Sequence, residues 1–368
     1  MSAVTDLLRD LVRIPSVNPE GDPGTNRPGE AEIAQFLASL LEKEGAATEL
    51  REVLPGRPNI LARFPSGQPG KPKLLFAPHT DTVSVVGMTI DPFSGEERDG
   101  KIWGRGASDT KGTMAAMLTA IFEMKEHLPN LSHEVWFAGL MSEEAGQHGS
   151  RALAEEENFD FVVVGEPTSL DVVYTHKGST WLTLKTTGVS VHASTPERGK
   201  NAIESMMEAL ALLKREFPYL YGNLSDPVLG KTTMNIGTIH GGSKINIVPD
   251  HCQAEVDIRT LPGQEIETLV ELLQQNIPGL EISMKGSKPL YTYPAHPLIV
   301  HLQDCGAKLV GAPWFCDAAP FSEKGVAAIA IGPGSIAQAH TCDEWINIAD
   351  LEEGVTFFKN FLQKLILK

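Results

Sequence analysis

The sequence predicts an α/β layer architecture interrupted by a smaller inserted domain, and three observations predict it. Short apolar runs that read as buried strands alternate with helical stretches over the first half of the chain. A strand and a helix of the same character return near the C-terminus. Between them the order is strand, helix, strand, strand, helix, strand, which is the ferredoxin-like split unit. A chain of 368 residues is also long for one core, since a domain typically holds about 100–200 residues.

Taken in order, Leu7, Leu8, Leu11 and Val12 recur at helical spacing, and Ile33, Phe36, Leu37, Leu40 and Leu41 mark a second helix that ends near Gly45. Residues 59–64 (NILARF) and 73–77 (KLLFA) read as strands, the latter apolar enough to be buried on both faces, as in a parallel sheet. From Lys111 to Leu128, Met114, Met117, Leu118, Ile121 and Phe122 form a helical stripe, with Asp109 and Thr110 placed to cap it. Residues 134–141 (EVWFAGLM) and 161–165 (FVVVG) are two more buried strands, separated by a helical GSRALAEEE stretch. The strand 326–332 and a last helix from Ile348 to Leu365 resume the same layer, with helices on both faces of the sheet.

In the insert, residues 181–188, 232–239, 251–260 and 280–285 read as strands, and Asn201 to Phe217 and Gln264 to Gln275 as helices with apolar sides. The insert therefore spans 179–292, and the first domain is assembled from 1–178 and 293–368.

Composition narrows the function classes. The formal net charge is -16, from 31 Lys+Arg against 47 Asp+Glu, which argues against nucleic acid or an anionic membrane as the main partner. The four cysteines, Cys252, Cys305, Cys316 and Cys342, show no paired C-x-x-C spacing and no disulfide framework, so reduced thiols in a cytoplasm fit best. The first residues, MSAVTDLLRDLVRIPSV, form an amphipathic helix with internal charges rather than a signal peptide, and no apolar run reaches the roughly 18 residues that span a bilayer.

Open α/β sheets gather ligands at the carboxyl ends of their strands. In this chain LLFAP is followed by His79-Thr80-Asp81, VWFAGLMS by Glu143-Glu144, FVVVG by Glu166, and AIAIGPGSIAQA by His340, while Asp109 precedes a helix. Singly, each has an ordinary reading: a loop histidine, a solvated glutamate pair, a helix cap. Together they place acids or histidines at the same end of four strands.

Two imidazoles and three carboxylates suit zinc or a similar borderline metal, and one bridging carboxylate would give each of two ions three protein ligands and an open position. Asp109 is the best bridge, because Gly104 and Gly106 before it let the backbone bend closely around a site. Asp81 is placed to accept the free imidazole N–H of His79 or to buttress the loop. Adjacent glutamates cannot serve one ion in the same way, so one of Glu143 and Glu144 is a general base.

The segments FAPHTDTV, DPFSGEERDGKIWGRGASDTKG, SEEAGQHGS, VVGEPTSLDVVYTHKG, VHASTPERGKNAIE and IAIGPGSIAQAHTCDEW resemble the dinuclear zinc acylases and peptidases. That clan includes acetylornithine deacetylase, succinyl-diaminopimelate desuccinylase and carboxypeptidases, and the similarity runs from about residue 5 to 365. The stretches DIRTLPG and APF add to a closest resemblance to the acetylornithine deacetylases. The resemblance implies that His79, Asp109 and Glu166 hold one Zn2+ and Asp109, Glu144 and His340 a second, with Co2+ or Mn2+ able to substitute. It also makes Glu143 the base and Asp81 its support.

In the insert, the resemblance implies that His192 stabilises an oxyanion from the partner subunit of a homodimer; its ordinary reading is a surface loop histidine. Arg259 is a candidate for gripping a substrate carboxylate, against a strand-end salt bridge, and Asn246 for a substrate hydrogen bond, against a turn residue. The implied activity is hydrolysis of the amide bond of an N-acyl amino acid, in a cytoplasmic homodimer that uses the insert for dimerisation and as a lid and serves arginine biosynthesis. Desuccinylase and dipeptidase or carboxypeptidase readings share every ligand. A non-catalytic metal-binding protein is the reading from another class.

Gly332-Pro333-Gly334-Ser335-Ile336-Ala337 fits G-x-G-x-x-A after a strand, but Pro333 stiffens the turn and no acid ends a following strand at the spacing of a dinucleotide site. It reads as the turn that delivers His340. There is no G-x-S-x-G elbow and no H-E-x-x-H helix.

Overall fold

A computed structural model describes residues 2–367. They divide into two compact units: residues up to Tyr174 with Tyr291–Val310 and those from Cys316 onward, and Thr175–Leu290 with Gly311–Phe315.

The larger unit is built on a mixed sheet. Its first six strands run Ala47–Leu54, Arg57–Arg63, Glu134–Gly139, Lys73–Pro78, Phe161–Gly165, Ala327–Ile331. The last four of these are parallel, as their continuous apolar runs predict, and the first two join antiparallel. The strand Ala47–Leu54 was not evident in the sequence. It is polar, largely exposed and at the sheet edge, so it lacks a buried face to impose alternation.

The helix Lys111–Glu123 is buried almost all round, because it packs against both the sheet strand Lys73–Pro78 and the final helix Ile348–Lys364. It stops earlier than the apolar stripe suggests, and a 3₁₀ turn, Lys125–Asn130, follows. The expected cap is also different. Neither Asp109 nor Thr110 caps the helix with its side chain; Thr110 Oγ1 donates to the Gly165 carbonyl, and Asp109 turns into the site. Buried Lys111 donates to the carbonyls of Leu11 and Ile14, at the end of the helix Ala3–Arg13. Among the described residues no helix is long and apolar enough to cross a membrane.

The smaller unit has its own core, in which Leu182, Leu184, Met206, Leu213, Ala254, Val256, Leu269 and Leu273 pack together. Its antiparallel sheet runs Thr233–Gly241, His251–Arg259, Ser179–Thr187, Glu281–Ser287, the ferredoxin-like order, with the helices Ala202–Tyr221 and Glu267–Asn276 packed on it. Asn201 starts the long helix by accepting from the amides of Ile203 and Glu204.

One buried histidine of this unit titrates with folding. His176 Nδ1 donates to the Lys177 carbonyl at 2.9 Å, and burial lowers its pKa from 6.5 to about 4. The unfolded chain binds a proton that the folded one refuses, so this contribution is full above pH 6.5 and is lost as pH falls toward 4. The loss should reach on the order of 3 kcal/mol. Denaturant midpoints measured in chelator across this range should fall more steeply for wild type than for His176→Gln. Equal slopes would rule this out.

Candidate active site

The four parallel strands carry their ends to one place. His79 follows Lys73–Pro78, Glu143 and Glu144 follow Glu134–Gly139, Glu166 follows Phe161–Gly165, and His340 lies beyond the turn after Ala327–Ile331. Asp109 enters from the segment before the helix Lys111–Glu123, after a cis peptide-free run of tight turns at Gly104 and Gly106; the Asp109–Thr110 bond itself is cis. Gly106 has φ +81°, and a Cβ there would lie 2.8 Å from Thr82 Cγ2, so the position requires glycine.

Ligand atoms of His79, Asp109 and Glu144 all lie within 4.8 Å of one another. His79 Nε2 is 3.1 Å from Asp109 Oδ1, while His340 Nε2 is 3.5 Å from Asp109 Oδ2 and 3.0 Å from Glu144 Oε2. The two oxygens of Asp109 thus face different imidazoles, which is the arrangement a bridging carboxylate needs. Glu166 is buried at the end of its strand beside this group, and Asp109 is the neighbouring charge that most affects it.

Asp81 meets the His79 imidazole and the Glu143 loop with different atoms. Its backbone carbonyl accepts from His79 Nδ1 at 2.9 Å, and its carboxylate accepts from the Glu143 and Glu144 amides and from Asn18 Nδ2. Burial opposes ionisation of Asp81, but hydrogen bonds from His79, Asn18 and the Glu143 amide hold its pKa below the usual carboxylate value.

The donor chemistry fits divalent cations. His79 commits its Nδ1 proton to a carbonyl, leaving Nε2 directed at a carboxylate oxygen, so either a proton or a metal must lie on that side. Burial works against charge on His79, and Asp109 and Asp81 outweigh it, so its pKa stands well above the ordinary value. Burial and the charge of Glu166 push Glu143 well up, burial and Asp109 do the same to Glu166, and burial raises Glu144 against its hydrogen bond with His340. Carboxylates crowded in this way repel until a compensating positive charge is bound.

Glu344 was missed from sequence. Although it is a loop acid more than two hundred residues from Asp109, it is almost fully buried. Its oxygens accept from Arg105 Nη1 and Gly106 N, both at 2.9 Å, and from Ser108 N and Asp109 N at 2.7 and 2.9 Å. It therefore shapes the turn that presents Asp109. Its place in the run HTCDEW, four residues after His340, was the available signal.

In the smaller unit His192 and Asn246 lie together beyond the His251 end of the strand His251–Arg259, and Arg259 lies at its other end. His192 is exposed, with Nδ1 2.8 Å from Ser194 Oγ, and the Ala193 amide donates to the Asn246 carbonyl. Arg259 Nε and Nη2 both donate to Asp257 Oδ2, at 3.1 and 3.0 Å, an ion pair at the end of the strand. The turn at Gly332 packs closely, since a Cβ there would lie 2.6 Å from the Glu166 carbonyl oxygen.

A model of peptidase family M20/M25/M40 matches residues 75–364. The chain belongs to that family. M20 membership makes it a metal-dependent hydrolase. It is 33% identical over 365 residues to an acetylornithine deacetylase of Proteus mirabilis, covering 94% of this chain and 92% of that one. Two solved structures share its fold. A tripeptidase from Staphylococcus aureus has TM-score 0.77 at 22% identity, covering 99% of this chain and 98% of that one. A dinuclear metal-binding M20 peptidase from Bacillus subtilis has TM-score 0.68 at 14% identity, with 99% and 97% covered.

Proposed function

We propose that this M20 protein hydrolyses the amide bond of an N-acyl amino acid, as its acetylornithine deacetylase relatives are named for doing, releasing a carboxylic acid and a free amino acid. The observation that carries this reading is the 33% identity to such an enzyme along nearly the whole of both chains.

His79, Asp109 and Glu166 would hold one ion and Asp109, Glu144 and His340 the other. Two Zn2+, with Co2+ or Mn2+ as substitutes, would supply Lewis acidity to the amide carbonyl and acidify a water. Glu143 takes the proton from the attacking water as the new C–O bond forms. It returns that proton to the nitrogen as the C–N bond breaks, so one carboxylate serves as base and then acid. Asp81 holds the backbone amides of both Glu143 and Glu144. Arg259 and Asn246 are the residues for a substrate carboxylate and a substrate hydrogen bond, which for Arg259 requires exchanging Asp257 for substrate.

The test is a panel of N-acetyl amino acids, N-succinyl amino acids and dipeptides presented to metal-reconstituted protein. N-acetylornithine should be cleaved fastest, a chelator should abolish cleavage, and Zn2+ should restore it better than Co2+ or Mn2+. A faster rate on an N-succinyl substrate or a dipeptide would replace the reading with the desuccinylase or peptidase alternative.

The smaller unit serves as a dimerisation and lid domain in this proposal, in a cytoplasmic homodimer that acts in arginine biosynthesis. Its exposed Met207, Tyr219, Ile239 and Met284, and the strand Thr233–Gly241 at its sheet edge, support association with a second copy. His192 would then stabilise the oxyanion of the partner subunit's substrate. Mixing Glu143→Gln and His192→Ala proteins should restore activity through mixed dimers; no rescue after demonstrated subunit exchange would remove the cross-subunit role.

A further inference from the structure

Four consecutive backbone N–H groups leading into the Glu143 loop donate to side-chain oxygens rather than to other backbone. Met141 donates to Asn59 Oδ1 at 2.9 Å and Ser142 to Glu30 Oε1 at 3.2 Å. Glu143 and Glu144 donate to Asp81 Oδ1 and Oδ2 at 3.0 and 3.1 Å. Such a frame is only as rigid as its acceptors.

Each acceptor is itself held. Asn18 donates to Asp81, and Asn59 Nδ2 donates to the Gly149 carbonyl in the first turn of the helix His148–Glu156 that follows the loop. Glu30, just before the helix Ala31–Lys43, has no exposed surface and receives two bonds from Arg57, Nε to Oε2 at 2.8 Å and Nη2 to Oε1 at 2.6 Å. Arg57 and Asn59 alternate on the strand Arg57–Arg63, so they project from one face toward one loop. Ser142, the residue that Glu30 holds, has φ +62°, a conformation that a residue with a Cβ keeps only when its surroundings enforce it.

A buried ion pair seldom raises stability over an apolar pair of the same size. Here the pair leaves one carboxylate oxygen shared between Arg57 and the amide that precedes the proposed base.

We propose that Glu30, fixed by Arg57, is a positioning residue for Glu143: it holds the Ser142 amide and so sets the direction in which Glu143 leaves the backbone. The proposal rests on the reading of Glu143 as the base. Glu30→Asp keeps the charge beside Arg57 and shortens the reach by one methylene, and Arg57→Lys keeps the charge while removing the two-pronged grip.

The experiment is a double-mutant cycle on the metal-loaded enzyme, with amide hydrogen exchange of the 141–144 segment as a readout apart from activity. Glu30→Asp should lower kcat by about 10–100-fold with KM nearly unchanged, and exchange at the segment should quicken. In a Glu143→Gln background the same change should cost no further kcat, because the group it positions is gone. Arg57→Lys should show the same pattern and stands in if Glu30→Asp folds poorly. Equal losses in both backgrounds, an unchanged kcat or an unchanged exchange rate would overturn the proposal, since a pair that only stabilises the fold gives those results. Failure of the base reading itself shows separately, as a Glu143→Gln single variant that keeps its rate, and the proposal falls with it.

Discussion

Glu143→Gln should bind metal as wild type does and lose about 10²–10⁴-fold in kcat. Glutamine keeps the volume and the backbone hydrogen bond to Asp81, so the loop has no reason to move. None of the proposed ligands is altered. What disappears is the group that accepts a proton from water and returns it to the leaving nitrogen. In the metal-free site burial and the charge of Glu166 raise the pKa of Glu143. Metal content by elemental analysis and single-turnover rates separate the two effects. A variant that kept more than about a tenth of the wild-type rate, or that lost its metal together with its rate, would remove Glu143 from the role of base.

The layer fold was legible because parallel strands buried on both faces leave continuous apolar runs; LLFAP and FVVVG run directly into His79 and Glu166, and VWFAG and AIAIG reach Glu143 and His340 through loops. The same logic made His79, Glu143, Glu144, Glu166 and His340 visible as a set. Residues that support them were hard to see for a physical reason. Glu344 and Glu30 act through backbone amides, and an amide leaves no mark in a sequence to show that it needs a partner. Asp109 and Thr110 looked like caps because they precede a helix, yet a stronger demand from the site and the sheet claimed their side chains. The strand Ala47–Leu54 escaped notice because edge strands are under no pressure to alternate.

The largest effect on stability should come from Glu344→Gln. The carboxylate sits in a fully dry position and gathers four donors, three amides of the turn from Gly106 to Asp109 and the guanidinium of Arg105, itself buried. An amide in its place presents N–H toward donors on one side and leaves Arg105 as an uncompensated buried charge. Removing one partner of such a pair costs about 3–5 kcal/mol. Arg105→Met should cost less, because Glu344 still finds three amides and the arginine charge leaves with its side chain. Urea unfolding of the metal-free proteins measures both. Asp109 loses the bond to its own amide in the Glu344 variant, so metal affinity should fall in that variant and change little in Arg105→Met. Equal destabilisation of the two variants, or an unchanged metal affinity in Glu344→Gln, would mean that Glu344 serves the ion pair and not the turn that presents Asp109.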